Sequence, residues 1–244
     1  MRIPRVYSPQ PLQPGQMLSL TSQAAHHVGR VLRLEMGAQL ILFNGEGGEY
    51  EGRIHASTRA GIQVMIEAHR PVERESPLRI TLLQGISRGE RMDYTLQKAT
   101  ELGVHRIVPI HCERTSVRLD EARAVKRCEH WRGILISACE QSGRNRIPEL
   151  ASPQALAQAL PQLASTPALR LLLDPQGGQT LRELAAQTQI VLLAGPEGGL
   201  TMSEINVAVA AGFQGLGLGP RILRTETAAI AMIAALQALW GDFS

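Results

Sequence analysis

Three segments rich in glycine and proline are the parts of this sequence whose residue types best suit ligand binding. They read LLDP at residues 172–175, LAGPEGG at residues 193–199 and LGPRILRTET at residues 218–227, each beside a predicted strand. Glycine brings backbone amides close to a ligand, and proline stiffens the same loop. Three such loops at one edge of a parallel sheet could hold an adenosine through main-chain groups. Taken singly, each segment is also typical of an ordinary strand-to-helix turn.

Four charged side chains within these loops are candidates for chemistry on a substrate: Glu197, Arg221, Arg224 and Glu226. Arginine can stabilise negative charge that develops on a substrate, and a carboxylate can accept a proton. Two of the four also have a structural explanation. The helix dipole favours an acidic residue such as Glu226 in a first turn, and Arg224 could equally be a buried ion-pair partner.

Two common nucleotide-binding patterns do not fit this sequence. Gly217 and Gly219 begin a dinucleotide fingerprint, but Ile222 stands where its last glycine is required. The Walker A pattern of nucleoside triphosphatases does not occur either. The loops therefore favour neither a dinucleotide site nor a triphosphate site.

The elements that must position these loops form an α/β pattern. Strands are predicted at residues 80–83, 107–110, 169–173 and 190–194. Helices are predicted at residues 89–102, 120–138, 201–212 and from residue 225 onward. Strands that alternate with helices predict a mainly parallel sheet. Thr201 and Glu204 have the spacing of a capping box at the start of one of these helices.

The first part of the chain predicts a separate small β-domain. Apolar residues alternate at residues 62–66, and an NGEGG sequence at residues 44–48 follows a short apolar run, which indicates a hairpin. One helical patch is predicted at residues 24–34. A charged, proline-flanked stretch at residues 71–77 is the candidate linker. We expect domains at residues 1–72 and 73–244.

The bulk composition is that of an ordinary globular protein. The chain has 244 residues, of which 44% are hydrophobic, and its three cysteines lack the spacing of metal ligands. We therefore expect reduced thiols in a cytoplasmic protein and no metal site. The N-terminus lacks the apolar core of a signal peptide, and the apolar run at residues 228–240 is too short to span a bilayer.

The basic residues are nearly all arginine, which suits bidentate contact with phosphate. Only Lys98 and Lys126 are lysines among 25 basic residues, and basic residues outnumber acidic ones only before residue 150. The candidate contacts to RNA phosphate are Arg2, Arg5, Arg30, Arg33, Arg88, Arg91, Arg114, Arg118, Arg144 and Arg146. Arg30 and Arg33 are expected on one helical face. A solvated arginine-rich surface, or a codon bias toward arginine, would explain the same composition.

Several ordered segments of the chain resemble the RsmE family, which methylates N3 of a uridine in 16S ribosomal RNA. They are GERMD at residues 89–93, QKATELG at 97–103, EQSGRNRIP at 140–148, GPEGG at 195–199 and the run from 219 to 227. The resemblance extends over essentially the whole chain. It implies a PUA-like RNA-binding β-barrel followed by a SPOUT α/β domain with a trefoil knot, a topology that few proteins have. It also implies a homodimer and the cofactor S-adenosylmethionine.

The resemblance assigns roles to particular residues of the three loops. The residues that correspond to the cofactor loops are Leu173, Asp174, Gly195, Glu197, Gly198, Leu218, Gly219, Ile222 and Leu223. Uridine N3 carries a proton and is a weak nucleophile, so an arginine near the uracil oxygens would help by stabilising the anion. Arg221 is the first candidate for this role and Arg224 the second. Glu197, or a water that it holds, is the candidate base.

Two other functions stay open on the sequence alone. One is a SPOUT enzyme that methylates the ribose 2′-oxygen of ribosomal or transfer RNA. The other is a ribosome-assembly factor that binds RNA without catalysis, although such a protein would not need cofactor loops. The expected partner is 16S ribosomal RNA, either naked or within the small ribosomal subunit.

Overall fold

A computed structural model describes residues 3–58, 61–115, 120–163 and 167–243 of the chain. Contacts between residues divide the chain into two compact units. The N-terminal unit comprises Met1–Glu75 with Ile136–Ile147, and the C-terminal unit comprises Ser76–Leu135 with Pro148–Ser244. Arg2 and Arg118, two of the candidate RNA contacts, lie outside the described residues.

The N-terminal unit is built on a five-stranded sheet. Its strands are β1 (Arg5–Tyr7), β2 (Met17–Ser19), β3 (Gln39–Phe43), β4 (Glu49–Thr58) and β5 (Gly61–Arg70). They are ordered β1-β3-β4-β5-β2, and each neighbouring pair is antiparallel except β1 with β3. Alternate side chains along β3, β4 and β5 are buried, among them Leu42, Ile54 and Val64. This alternation is what a half-buried strand requires.

The helix predicted at residues 24–34 is shorter and less regular in the structure. Helix α1 (Ser22–His26) is followed by one π-helical turn (His27–Val31), where the helical segment ends. Arg33 lies beyond that turn, with a φ of 52° in the left-handed region. Residues three apart share a face only within a regular helix. The prediction that Arg30 and Arg33 lie on one helical face is therefore wrong.

A network of buried charges joins residues 136–147 to the rest of the N-terminal unit. Arg144 donates to the Glu75 carboxylate through two nitrogens, and only 4% of its side chain is exposed. Arg5 is buried as well, where it pairs with Glu49 and donates to the Asn145 side chain. The sequence predicts phosphate contact for Arg5 and Arg144. Their burial in ion pairs removes both from the arginines that a phosphate could reach.

The Glu49 carboxylate receives two arginines, Arg5 and Arg74. Burial by itself would raise the pKa of this carboxyl group, but the hydrogen bonds from Arg74 and Arg5 outweigh that effect and lower the pKa. Glu49 is therefore ionised at neutral pH, and the paired charges compensate each other inside the unit.

The predicted linker at residues 71–77 is bound to the N-terminal unit along its middle. Glu73 pairs with Arg146 at 2.8 Å, and Arg74 donates to the Gly143 carbonyl at 3.1 Å. Together with the buried pair of Arg144, these contacts extend the compact unit past the domain boundary expected from the sequence.

The C-terminal unit is built on a sheet of seven strands in which every pairing is parallel. Its strands are β6 (Arg79–Gly85), β7 (Arg106–His111), β8 (Glu149–Leu150), β9 (Gln154–Ala155), β10 (Leu169–Leu173), β11 (Gln189–Ala194) and β12 (Gln214–Leu216). They are ordered β12-β10-β11-β6-β7-β8, and β9 also pairs with β7. The predicted α/β class with a parallel sheet is confirmed. The trefoil knot stays a prediction.

Helices cover the sheet of the C-terminal unit. They are α2 (Glu90–Glu101), α4 (Leu156–Gln162), α5 (Met202–Ala210) and α6 (Thr225–Trp240). Helix α3 (Glu121–Ser142) begins in this unit, and its residues from 136 onward belong to the N-terminal unit. Leu83 and Leu193 pack in one core cluster with side chains of α4 and α5. By strand alternation Leu82 and Leu192 point to the other face, and they are also fully buried. Such burial on both faces is typical of parallel sheets and explains the apolar strands. No described helix is long and apolar enough to cross a membrane.

Local signals account for where two of these helices begin and end. Helix α5 has the predicted capping box, in which the Glu204 N–H donates to Thr201 Oγ1 and the Thr201 N–H donates to Glu204 Oε2. Helix α2 ends before Gly103, whose φ of 85° is the left-handed conformation that follows many helices. Both predictions are confirmed.

Replacing Arg144 with methionine should lower the free energy of unfolding by about 3 kcal/mol, because Glu75 is left charged and largely buried without its partner. Arg53→Met is the matched control, since Arg53 pairs with Glu67 at the surface. An exposed pair contributes at most about 1 kcal/mol. Urea denaturation followed by circular dichroism measures both variants, and equal losses would contradict a structural role for Arg144.

Candidate active site

The three loops singled out in the sequence meet at one edge of the C-terminal sheet. Strand β10 lies between β11 and β12, and all three strands run in the same direction. Their carboxyl ends therefore lie side by side, which is where parallel sheets bind ligands. A cavity of about 450 Å³ opens there. Sites for small molecules occupy roughly 300–1,000 Å³, so the cavity has a suitable size.

The wall of this cavity is mainly aliphatic side chains and loop backbone. Its lining residues are Arg114, Leu172, Leu173, Asp174, Pro175, Gln176, Ala194, Gly195, Pro196, Gly199, Leu200, Met202, Ile205, Leu216, Leu218, Arg221, Ile222, Leu223, Thr225 and Ala228. Among the described residues in this wall, Arg114, Asp174 and Arg221 are the charged ones. The cavity thus offers an apolar surface with one anion and two cations.

Two glycines allow the backbone segments around the cavity to approach each other closely. A Cβ atom on Gly85, at the end of β6, would lie 2.3 Å from the main-chain nitrogen of Pro196. A Cβ atom on Gly177 would lie 2.6 Å from the main-chain nitrogen of Leu216. Neither distance is tolerable, so any larger residue would push the loops apart. These glycines are needed for close packing and not for a left-handed φ.

Hydrogen bonds connect the GPEGG loop (residues 195–199) to the start of α6. The Thr225 hydroxyl donates to the Gly195 carbonyl and accepts a hydrogen bond of 3.0 Å from Gln84 Nε2. The same Gln84 amide donates to the Gly85 carbonyl at 3.1 Å. Gln84 is fully buried at the end of β6. Through Thr225, this side chain fixes the loop and the first turn of α6 against the sheet.

The Glu197 carboxylate binds the GPEGG loop to the start of α2. Its Oε1 accepts a hydrogen bond of 2.9 Å from the Arg88 main-chain N–H and lies 3.5 Å from the Arg91 guanidinium. Glu197 does not belong to the described cavity wall. A general base must reach the proton that it accepts, whereas the Glu197 carboxylate points to Arg88 and Arg91. This arrangement disfavours Glu197 as the general base.

The structure brings many of the predicted site residues together. The cavity wall contains Arg221 and these predicted cofactor residues: Leu173, Asp174, Gly195, Leu218, Ile222 and Leu223. Among the described lining residues it does not contain Glu197, Gly198, Gly219 or Arg224. Glu226, in the first turn of α6, has a buried Oε2 without a hydrogen-bond partner among the described residues.

The chain resembles known proteins in both sequence and structure. A family model described as an RNA methyltransferase domain matches residues 74–237, and one described as an RNA methyltransferase PUA domain matches residues 20–67. The chain is 38% identical to ribosomal RNA small subunit methyltransferase E of Buchnera aphidicola subsp. Schizaphis graminum, over 100% of this chain and 99% of that protein. This chain belongs to the ribosomal RNA small subunit methyltransferase E family. The resemblance to RsmE seen in its sequence is confirmed.

Solved structures of high similarity support the same assignment. A putative methyltransferase of Legionella pneumophila, in complex with S-adenosylmethionine, is 45% identical and has a TM-score of 0.96 over 100% of both chains. The ribosomal RNA small subunit methyltransferase E of Neisseria gonorrhoeae, bound to S-adenosylmethionine, is 41% identical with a TM-score of 0.91, again over 100% of both chains.

The cavity of this family member fits S-adenosylmethionine. Its aliphatic wall suits an adenine ring, and backbone of the GPEGG loop and of the loop after β12 lies in the wall, beside the aliphatic side chains. Asp174, Arg114 and Arg221 are the charged side chains among the described residues of this wall. The cofactor loops identified by resemblance, at Leu173, Gly195 and residues 218–223, contribute to this wall.

Sequence reasoning missed several members of the site. Met202 and Ile205 come from α5, whose apolar side chains gave no ligand signal. Arg114 was assigned to RNA contact because it is an arginine, yet it lies in the cavity wall. Residues 112–115 follow β7, which is separated from β11 by β6 in the sheet. No local pattern indicates that a loop two strands away turns toward the GPEGG loop.

Replacing Thr225 with valine should weaken the affinity for S-adenosylmethionine about tenfold, because the Gly195 carbonyl loses its hydrogen bond from Thr225 and the Gln84 amide keeps only its bond to the Gly85 carbonyl. Thr225→Ser should restore the affinity to near the wild-type value. Isothermal titration calorimetry measures both variants.

Thr100→Val provides the matched control for this experiment. It removes another buried hydroxyl of the same unit, which donates to the Leu96 carbonyl within α2. This variant should lose stability but keep its affinity for the cofactor. If Thr225→Val and Thr100→Val affect the affinity equally, the Thr225 hydroxyl has no specific role at the cavity.

Proposed function

We propose that this protein transfers the methyl group of S-adenosylmethionine to N3 of a uridine in 16S ribosomal RNA. The observation that carries the proposal is the cavity at the ends of β10, β11 and β12. It is built from the loops that correspond to the cofactor loops of the RsmE family, and its wall contains an arginine for the substrate. The relatives named ribosomal RNA small subunit methyltransferase E support the substrate class.

The protein's side chains must orient the uracil and stabilise its anion, whereas the cofactor supplies the methyl group. S-adenosylmethionine supplies an electrophilic methyl group, and uridine N3 must lose its proton to attack it. Arg221 lies in the cavity wall, is exposed, and has no polar partner among the described residues. Its guanidinium group is thus available to the uracil oxygens, where it would stabilise the anion and lower the pKa of N3. Arg224 is also exposed but does not belong to the described wall, so it remains the second candidate.

The proton of N3 is proposed to leave to water. Glu197 was the candidate base, but its carboxylate accepts from the Arg88 main-chain N–H and faces Arg91. With Arg221 stabilising the uracil anion, a dedicated base is not required. Glu197 then has a positioning role, because it holds the GPEGG loop to α2.

RNA phosphates are proposed to contact exposed arginines of each unit. Of the candidate arginines named from the sequence, those that the structure shows as exposed and outside the cavity wall are Arg30, Arg33, Arg88, Arg91 and Arg146. Arg91 and Arg146 form ion pairs that are partly open to solvent, so a phosphate could replace or join the carboxylate. We also propose that the protein acts as a homodimer in the cytoplasm, as the family resemblance implies.

Incubation with methyl-labelled S-adenosylmethionine and small ribosomal subunits that lack the modification tests the reaction. After nuclease digestion, the label is expected in 3-methyluridine. Label in a 2′-O-methylated nucleoside would contradict the proposed position of methylation, and absence of label would favour a binding protein without catalysis.

Replacing Arg221 with alanine should slow methyl transfer about 100-fold, which is typical for the loss of one group that stabilises a developing anion. The affinity for S-adenosylmethionine should stay within about twofold of wild type, since the role concerns the uracil. Arg182→Ala is the control, because Arg182 is an exposed arginine of the same unit outside the described wall. A parallel loss of cofactor affinity and rate would contradict this role.

A further inference from the structure

A second arginine lies in the cavity wall, in addition to the one proposed to stabilise the uracil anion. Arg114 and Arg221 are the two cations among the described lining residues. Arg114 comes from the loop after β7, whereas the other charged lining residues follow β10 and β12. Because Arg114 lies in the wall formed by the cofactor loops, attraction to RNA phosphate does not by itself explain its position.

The loop that carries Arg114 is held by several hydrogen bonds. The Cys112 main-chain N–H donates to Thr115 Oγ1 at 2.9 Å, and the Thr115 N–H donates back to the Cys112 carbonyl at 3.0 Å. The Glu113 N–H donates to Glu204 Oε1 at 2.9 Å, and the same carboxylate caps α5. The backbone on both sides of Arg114 is therefore anchored to the body of the unit.

The Arg114 side chain is itself oriented against the GPEGG loop. One of its terminal nitrogens donates to the Gly198 carbonyl at 3.2 Å. A Cβ atom on Gly198 would lie 2.9 Å from Arg114 Cβ, so the two backbones are in close contact. A guanidinium group has five N–H donors, and this contact uses one of them. Others remain for a ligand in the cavity.

The charges of the cofactor suggest what this arginine binds. S-adenosylmethionine has one anionic group, the α-carboxylate of its methionine portion, and two cationic groups, the ammonium and the sulfonium. Arg221 is exposed and lies next to Ile222, which is 85% exposed, and its guanidinium has no polar partner among the described residues. Arg114 is held in place by Gly198, and a preorganised guanidinium suits a carboxylate that is present in every reaction cycle.

We propose that Arg114 binds the α-carboxylate of S-adenosylmethionine and selects the complete cofactor over adenosine derivatives that lack this group. The proposal rests on the cofactor given under the proposed function. It reassigns Arg114 from a contact with RNA phosphate to a contact with the cofactor.

Binding of two cofactor forms to two proteins tests this contact. The ligands are S-adenosylmethionine and decarboxylated S-adenosylmethionine, and the proteins are the wild type and Arg114→Met, all measured by calorimetry. The wild type should prefer the carboxylated form by about tenfold to hundredfold, as expected for hydrogen bonds between charged groups. In Arg114→Met this preference should fall to within about threefold, with little change in affinity for the decarboxylated form.

Two further arginine variants act as controls. Arg79→Met removes an arginine at the opposite end of β6, where it contacts His105, and should keep the full preference. Arg221→Met should keep it as well. Arg114→Lys retains the charge without the planar fork and should show an intermediate preference, which also controls for any effect of the methionine side chain on folding.

Several results would overturn the proposal. A wild type with no preference for the carboxylated form would do so, as would an Arg114→Met variant that keeps the preference. Loss of the preference in Arg221→Met alone would assign the carboxylate to the other arginine. If Arg114→Met binds both cofactor forms like wild type and loses affinity for RNA, Arg114 is a phosphate contact. These binding measurements do not depend on which nucleoside is methylated. Failure of the Arg114 proposal can therefore be distinguished from failure of the proposed methylation reaction.

Discussion

The parallel arrangement of β10, β11 and β12 is the constraint on which the site depends. Parallel strands bring their carboxyl ends to one edge, so three loops that are distant in the sequence surround a common cavity. The loops can approach only because Gly85 and Gly177 have no side chain at the points of contact. The cavity therefore follows from sheet direction and from backbone proximity, and the aliphatic wall follows from the apolar strands that lead into it.

Side chains from neighbouring elements then hold each part of the site in place. Thr225 ties the GPEGG loop to α6, Glu197 ties it to α2, and Arg114 ties it to the loop after β7. Glu204 caps α5 and anchors the loop of Arg114 with the same carboxylate. Positioning of reacting groups can contribute about 7–11 kcal/mol to lowering a barrier. A loop that is fixed from three sides suits an enzyme that must align the methyl group of a cofactor with the nucleobase that receives it.

The arginines of this protein have several different roles although their side chains are chemically identical. Arg5 and Arg144 neutralise buried carboxylates in the N-terminal unit, where removing a partner would leave an uncompensated charge. Arg91 secures Glu197, and Arg114 and Arg221 line the cavity. The arginine-rich composition is thus only partly explained by binding to a polyanion, because part of it stabilises the fold and part of it belongs to the cofactor site.

The sequence by itself determined the α/β class, the parallel sheet, the capping box of α5 and the glycine-rich loops, because periodicity and turn chemistry are local properties. Ordered motifs also determined the family. Only the tertiary structure decided which polar residues meet. Arg114 reaches the cavity from a strand two places away, Arg5 and Arg144 are buried, and Glu197 is already bonded. Each of these outcomes depends on strand order and on partners far away in the chain. The spacing of nearby residues encodes neither the strand order nor these distant partners.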